Sequence, residues 1–136
     1  MPDEQEQQQM AQKYQQIQQQ LQQVNQFVEQ IEEQIEEMEN SAEAVQKLED
    51  VEEGTEILAP LGKGVSAVAE LKNNSEVVTE LGADVQQRRS LDEAHQVIKD
   101  RKQEMEESRE ELQDTLEELQ GQMQQIQQQM QQQQME

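Results

Sequence analysis

Apolar residues recur along the first third of this chain at a spacing that alternates four and three: Met10, Tyr14, Ile17, Leu21, Val24, Val28, Ile31, Ile35, Met38, Ala42 and Val45. A mean repeat of 3.5 residues keeps one stripe facing a partner helix over many turns, which defines a coiled-coil seam. A disordered chain would not hold that phase. Most other positions are Gln and Glu, both good helix formers.

The pattern returns near the other end. Leu91, Ile98, Met105, Leu112, Leu119 and Ile126 fall seven apart, with Leu116, Met123 and Met130 on the alternate seam positions. His95, Lys102 and Arg109 fill that alternate set nearer the middle of the chain. Polar residues in a seam weaken it but help to fix its register. Ser90 and Glu93 form a capping box that opens the second helix. Each arm runs for roughly 45 residues, or about 70 Å as a helix. Two equal arms joined by a short segment can fold back and pair antiparallel, which sets the first residues of one beside the last residues of the other.

Composition agrees with a narrow seam rather than a thick core. Hydrophobic residues make up 32% of the chain, with one Tyr, one Phe and no Trp, too few large side chains to exclude water from a globule. Asp and Glu number 31 against 10 Lys and Arg, for a formal charge of -21. Phosphate backbones and anionic membranes require a basic face, so nucleic acid and membranes are not expected partners. A high-salt cytosol, which screens self-repulsion, is one explanation of the acidity; an acidic helical protein under ordinary conditions is the other. Cysteine is absent, which removes disulfides and thiol chemistry. The polar, acidic N-terminus lacks the apolar run of a signal peptide, and the expected location is cytoplasmic.

Residues 54–89 change character. Gly54, Gly62, Gly64 and Gly82 appear, Pro60 interrupts any helix, and Val, Leu, Ile and Ala concentrate. Four short strands are predicted over residues 55–61, 65–71, 76–81 and 83–88. Gly62-Lys63-Gly64 and Asn73-Asn74-Ser75 read as turns, and Gly82 as a tight reversal. Two hairpins this small are marginal alone, and their open edges invite pairing with other subunits. The expected architecture is therefore mainly α. Residues 1–53 and 90–136 form a long antiparallel coiled-coil hairpin, and residues 54–89 form two β-hairpins that pair with hairpins of other subunits. The expected oligomerisation residues are Ile57, Leu58, Leu61, Val65, Val68, Leu71, Val77, Val78, Leu81 and Val85.

The middle segment carries a family resemblance. Residues 57–71 read Ile57-Leu58-Ala59-Pro60-Leu61-Gly62-Lys63-Gly64-Val65, continuing to Leu71. Residues 76–85 include Leu81-Gly82-Ala83-Asp84-Val85, and Leu91-Asp92-Glu93-Ala94 opens the second helix. This resembles the archaeal-type prefoldin alpha subunit across essentially the whole chain. The second hairpin favours the alpha type, since beta-type subunits carry one. The resemblance implies a hexamer of two alpha and four beta-type subunits, with hairpins forming a double β-barrel. It also implies ATP-independent capture of unfolded proteins at the coil tips and transfer to a group II chaperonin.

Charge fades toward the expected tips. Residues 7–28 contain only Lys13 as a charge, and residues 119–135 contain none. Met10, Tyr14, Ile17, Phe27, Met123, Ile126, Met130 and Met135 are the candidate client-binding residues. Exposed apolar segments of a client seek apolar contact, and Met adapts to varied partners. Heptad spacing alone accounts for most of these residues as seam packing. Phe27 lies off the seam and is the one that spacing explains least.

Other motifs carry less. Gly62-Lys63-Gly64 lacks the spacing and following hydroxyl of a phosphate loop, and a hairpin turn explains it. The Glu clusters match no calcium-binding loop and read as a solvated face. His95, the one histidine, reads as seam packing, and Arg88-Arg89 as cations offsetting nearby carboxylates. No nucleophile–base pair or metal-ligand spacing stands out, so neither an enzyme nor a cofactor or metal is expected. A structural coiled-coil scaffold is the competing reading. The two hairpins argue against it, because a plain rod needs only a loop between its helices.

Overall fold

The computed structural model describes residues 4–135, apart from the side chains of Leu81 and of residues 133–135. Two helices of 45 residues each, α1 (Glu4–Leu48) and α2 (Leu91–Met135), enclose four strands. Every expected seam position of α1 from Met10 to Val45 is buried or half-buried, with Ile17, Val28 and Ile35 the deepest. The same holds for α2, where Leu119 is buried and Leu91, Ile98, Met105, Leu112, Leu116, Met123, Ile126 and Met130 are half-buried. Almost every other helical position is exposed, as a single seam requires.

Helix ends follow local chemistry. The Glu93 amide donates to Ser90 Oγ at 3.2 Å, so Ser90 caps α2 as its spacing predicted. Asp92 and Glu93 place negative charge in the first turn, where the helix dipole favours it. The first helix stops at Leu48, short of the expected residue 53. The Asp50 and Val51 amides donate to the Lys47 and Leu48 carbonyls, tightening the last turn and bending the chain away.

Strands β1 (Glu56–Gly62) and β2 (Val65–Glu70) pair antiparallel, as do β3 (Glu76–Gly82) and β4 (Val85–Ser90). The two hairpins form separate two-stranded sheets. The first turn is tighter than the sequence suggested, and the second lies one residue further on and is one residue longer. Gly62 pairs with Val65, leaving Lys63-Gly64 as the turn, with Gly64 at a φ of 75°. Gly82 likewise pairs with Val85, so the expected strand start at residue 83 is instead a turn. Ala83 and Asp84 both occupy the left-handed region, at φ 50° and 62°. That pair of dihedrals suits the two-residue turn whose twist matches its flanking strands.

Asp tolerates this conformation; Ala does not, and the cost is about 1 kcal/mol. Ala83→Asn is therefore expected to raise stability by up to about 1 kcal/mol, read as a higher denaturation midpoint with unchanged helicity.

Hydrogen bonds close the connections around the hairpins. Asn73 Oδ1 accepts from the Ser75 amide at 2.8 Å, closing the predicted turn. Asn74 donates to the Val51 carbonyl at 2.9 Å. The Gly54 amide donates to the Leu71 carbonyl, and the Leu71 amide to the Thr55 carbonyl. The Arg101 guanidinium donates to the Glu80 carbonyl, tying α2 to β3. The chain divides into two units: one holds residues through Ile35 with those from Glu104 onward, the other is Glu36–Gln103. Among the described residues no helix is long and apolar enough to cross a membrane.

Candidate functional site

Polar contacts between α1 and α2 mark their pairing. Within the unit that carries the hairpins, Gln46 Nε2 lies 3.2 Å from His95 Nε2, and Lys102 Nζ lies 3.1 Å from the Glu39 carboxylate. Within the other unit, Gln127 Nε2 donates to the Tyr14 hydroxyl at 3.2 Å. Seven positions back along α1, from Gln46 to Glu39, matches seven forward along α2, from His95 to Lys102. The unit that carries the hairpins therefore keeps one antiparallel register. The polar seam residues His95 and Lys102, predicted to fix register, make these two contacts.

In the unit formed by the outer parts of the helices, Met10, Tyr14, Met123, Ile126 and Met130 are half-buried and Ile17 is 8% exposed. The seam holds them, as their spacing required. Phe27 differs: it is 46% exposed, the one large apolar side chain of either helix left so among the described residues. The side chain of Met135 lies outside the described residues. A groove of about 580 Å³ runs along one flank of the seam. Met10, Ile17 and Ile126 form its apolar part, and Gln9, Gln16, Gln20, Gln122, Gln125 and Gln129 supply most of its polar lining. Sequence reasoning missed these glutamines as a set. Their spacing of three, four and seven was visible, but glutamine occupies so many neighbouring positions that the pattern was hidden.

The hairpins present a second surface. Leu58 and Val68 are cross-strand partners, 68% and 67% exposed. Leu61, Val65, Val78 and Val85 are also exposed, and Ile57 is just so. Leu71 and Val77 are half-buried and line a groove of about 520 Å³ with Ile57, Val78 and Arg88. The side chain of Leu81 lies outside the described residues. The second hairpin is the more polar. Arg88 sits opposite Val78 and 3.9 Å from the Glu76 carboxylate, an exposed and weak pair. Among the described residues Arg89 pairs with no carboxylate; its Nε donates to Thr79 Oγ1 at 2.9 Å.

Charge is segregated along the chain. Residues 54–90 carry Glu56, Glu70, Glu76, Glu80 and Asp84 against Lys63, Lys72, Arg88 and Arg89, so they are nearly neutral. Almost all of the -21 resides in the arms, on their inner parts. Glu43 and Lys47 form an exposed pair one helical turn apart at 2.8 Å. Their hydrogen bond, then their mutual charge, lowers the Glu43 pKa and raises that of Lys47.

A family model for prefoldin subunits matches residues 17–136, nearly the whole of this two-helix, two-hairpin chain. The chain thus belongs to the prefoldin subunit family, a family of chaperones rather than enzymes, whose members assemble with other prefoldin subunits. No curated protein matches it. Among solved structures it is similar to a filamentous prefoldin from Methanocaldococcus jannaschii determined by cryo-EM. The TM-score is 0.78 at 17% identity, over 85% of this chain and 96% of that one. At that identity the likeness establishes a shared fold. The chain is accordingly a chaperone-type subunit with two long helices joined through two small hairpins.

Proposed function

We propose that this chain is an alpha-type prefoldin subunit and an ATP-independent holdase. Two copies join four beta-type subunits in a cytoplasmic hexamer. The hexamer captures unfolded proteins at the outer ends of the paired helices and hands them to a group II chaperonin. The observation that carries the reading is the charge segregation on a prefoldin fold. The hairpin segment is nearly neutral and apolar, so strongly acidic subunits can approach there without repulsion. The outer stretches, residues 7–28 and 119–135, hold Lys13 as their one charge, carry Met and an exposed Phe, and suit weak contact with apolar segments. The second hairpin supports the alpha type. Acidity on the inner arms suits a high-salt cytosol, where the Debye length falls to about 3 Å at 1 M.

The test is an aggregation assay with a guanidinium-denatured globular enzyme as client and no nucleotide. The assembled chain is expected to suppress light scattering at near-stoichiometric amounts. Unchanged scattering would contradict capture and favour a scaffold.

A further inference from the structure

The groove and Phe27 lie on one line. Counting in sevens, Glu6, Lys13, Gln20 and Phe27 occupy equivalent positions on α1, and the first three line the groove. A seven-residue step returns to nearly the same helix face. Phe27 therefore stands on the groove flank, one heptad beyond its last α1 residue and about 10 Å from it along the axis. The opposite flank, which includes Gln18 and Gln22, contributes nothing to the groove.

We infer that this one flank binds an extended, uncharged segment of non-native polypeptide, about seven or eight residues long, with an apolar side chain near each end. The inference rests on the capture reading and specifies its substrate. Length follows from geometry. Met10 to Phe27 spans about 25 Å of helix, and an extended chain covers about 3.3 Å per residue. One apolar anchor enters the groove beside Met10, Ile17 and Ile126; the other packs on the Phe27 ring. Between them the flank offers glutamine amides, each both donor and acceptor, to a backbone that lacks partners of its own.

Charge selects the occupant. The groove's two charges, Glu6 and Lys13, offset each other, and its other lining residues are uncharged. Between Lys13 and Phe27, where glutamine lines the flank, an acidic or basic client segment would lose hydration without gaining a counter-ion. Binding is accordingly insensitive to salt, unlike capture by an acidic face.

The test uses the full-length chain in its assembly and two fluorescein-labelled, uncharged peptides of Leu, Phe, Thr and Gln, eight and four residues long, read by anisotropy. The eight-residue peptide reaches both anchors and should bind about tenfold tighter than the four-residue one, which reaches one. Phe27→Gln should remove most of that advantage. Gln16→Glu should weaken the eight-residue peptide several-fold, while Gln18→Glu on the other flank leaves it within twofold. All three positions are exposed, so helicity by circular dichroism should not change. Equal effects of Gln16→Glu and Gln18→Glu, or no effect of Phe27→Gln, would overturn the inference and leave capture standing. A wild-type assembly that fails to suppress client aggregation would remove the capture reading itself.

Discussion

A Leu58→Asp substitution is expected to abolish assembly while leaving each subunit folded. Leu58 and its cross-strand partner Val68 are largely exposed within the chain, so the subunit does not depend on them. An assembly that seats this face against another hairpin buries both. Covering a Leu side chain contributes about 1.5–3 kcal/mol. A carboxylate in its place loses that and adds a desolvation cost of several kcal/mol. Together these exceed about 4 kcal/mol, a factor of roughly a thousand in affinity. Native mass measurement should show dissociated subunits at micromolar concentration, and circular dichroism should show undiminished helix. An intact oligomer would mean that the first hairpin faces solvent in the assembly.

The second large effect is expected inside the subunit. Ala94 is 0% exposed, in the first turn of α2. Ala94→Glu should destabilise the chain by at least about 3 kcal/mol, combining overpacking of about 1–3 kcal/mol with burial of an unpaired carboxylate. Glutamate is itself a good helix former and is favoured near a helix N-terminus, so local propensity opposes the loss rather than causing it. Ala11→Glu, at an exposed position of α1, should stay within about 0.5 kcal/mol of the parent. Denaturant midpoints of the two variants compare them directly. Similar midpoints would mean that the space around Ala94 opens easily.

These contrasts mark what the sequence carried and what it hid. The seam was legible to the residue, because a 3.5 period over many turns has one structural solution. Ser90 was legible as a cap because its hydroxyl and Glu93 stand at the required spacing. The identities of the seam's polar residues were legible too, but not their partners. Which α1 residue meets His95 depends on how much chain the hairpins consume, and periodicity does not report that. The second hairpin's turn was misplaced because Gly82 looked like the residue made for positive φ. Ala83 and Asp84 take up the left-handed conformation as well, at a local cost that strand pairing overrides. Ala94 belongs to the helix opening that carried the resemblance, but its burial was not legible: a small residue one helical turn into α2, off the seven-residue series, reads as neutral until its surroundings are seen. Phe27 was legible as the apolar residue without a seam position. The glutamine flank beside it was not, since a groove depends on which amides face it.

The central claim is that the charge-poor outer parts of the helix pair hold the client while the hairpins hold the assembly. Removing residues 1–21 and 120–136 separates the two. The account predicts that the shortened protein keeps its native oligomeric mass and loses suppression of client aggregation. A shortened assembly that suppresses aggregation as fully as the intact one would contradict it.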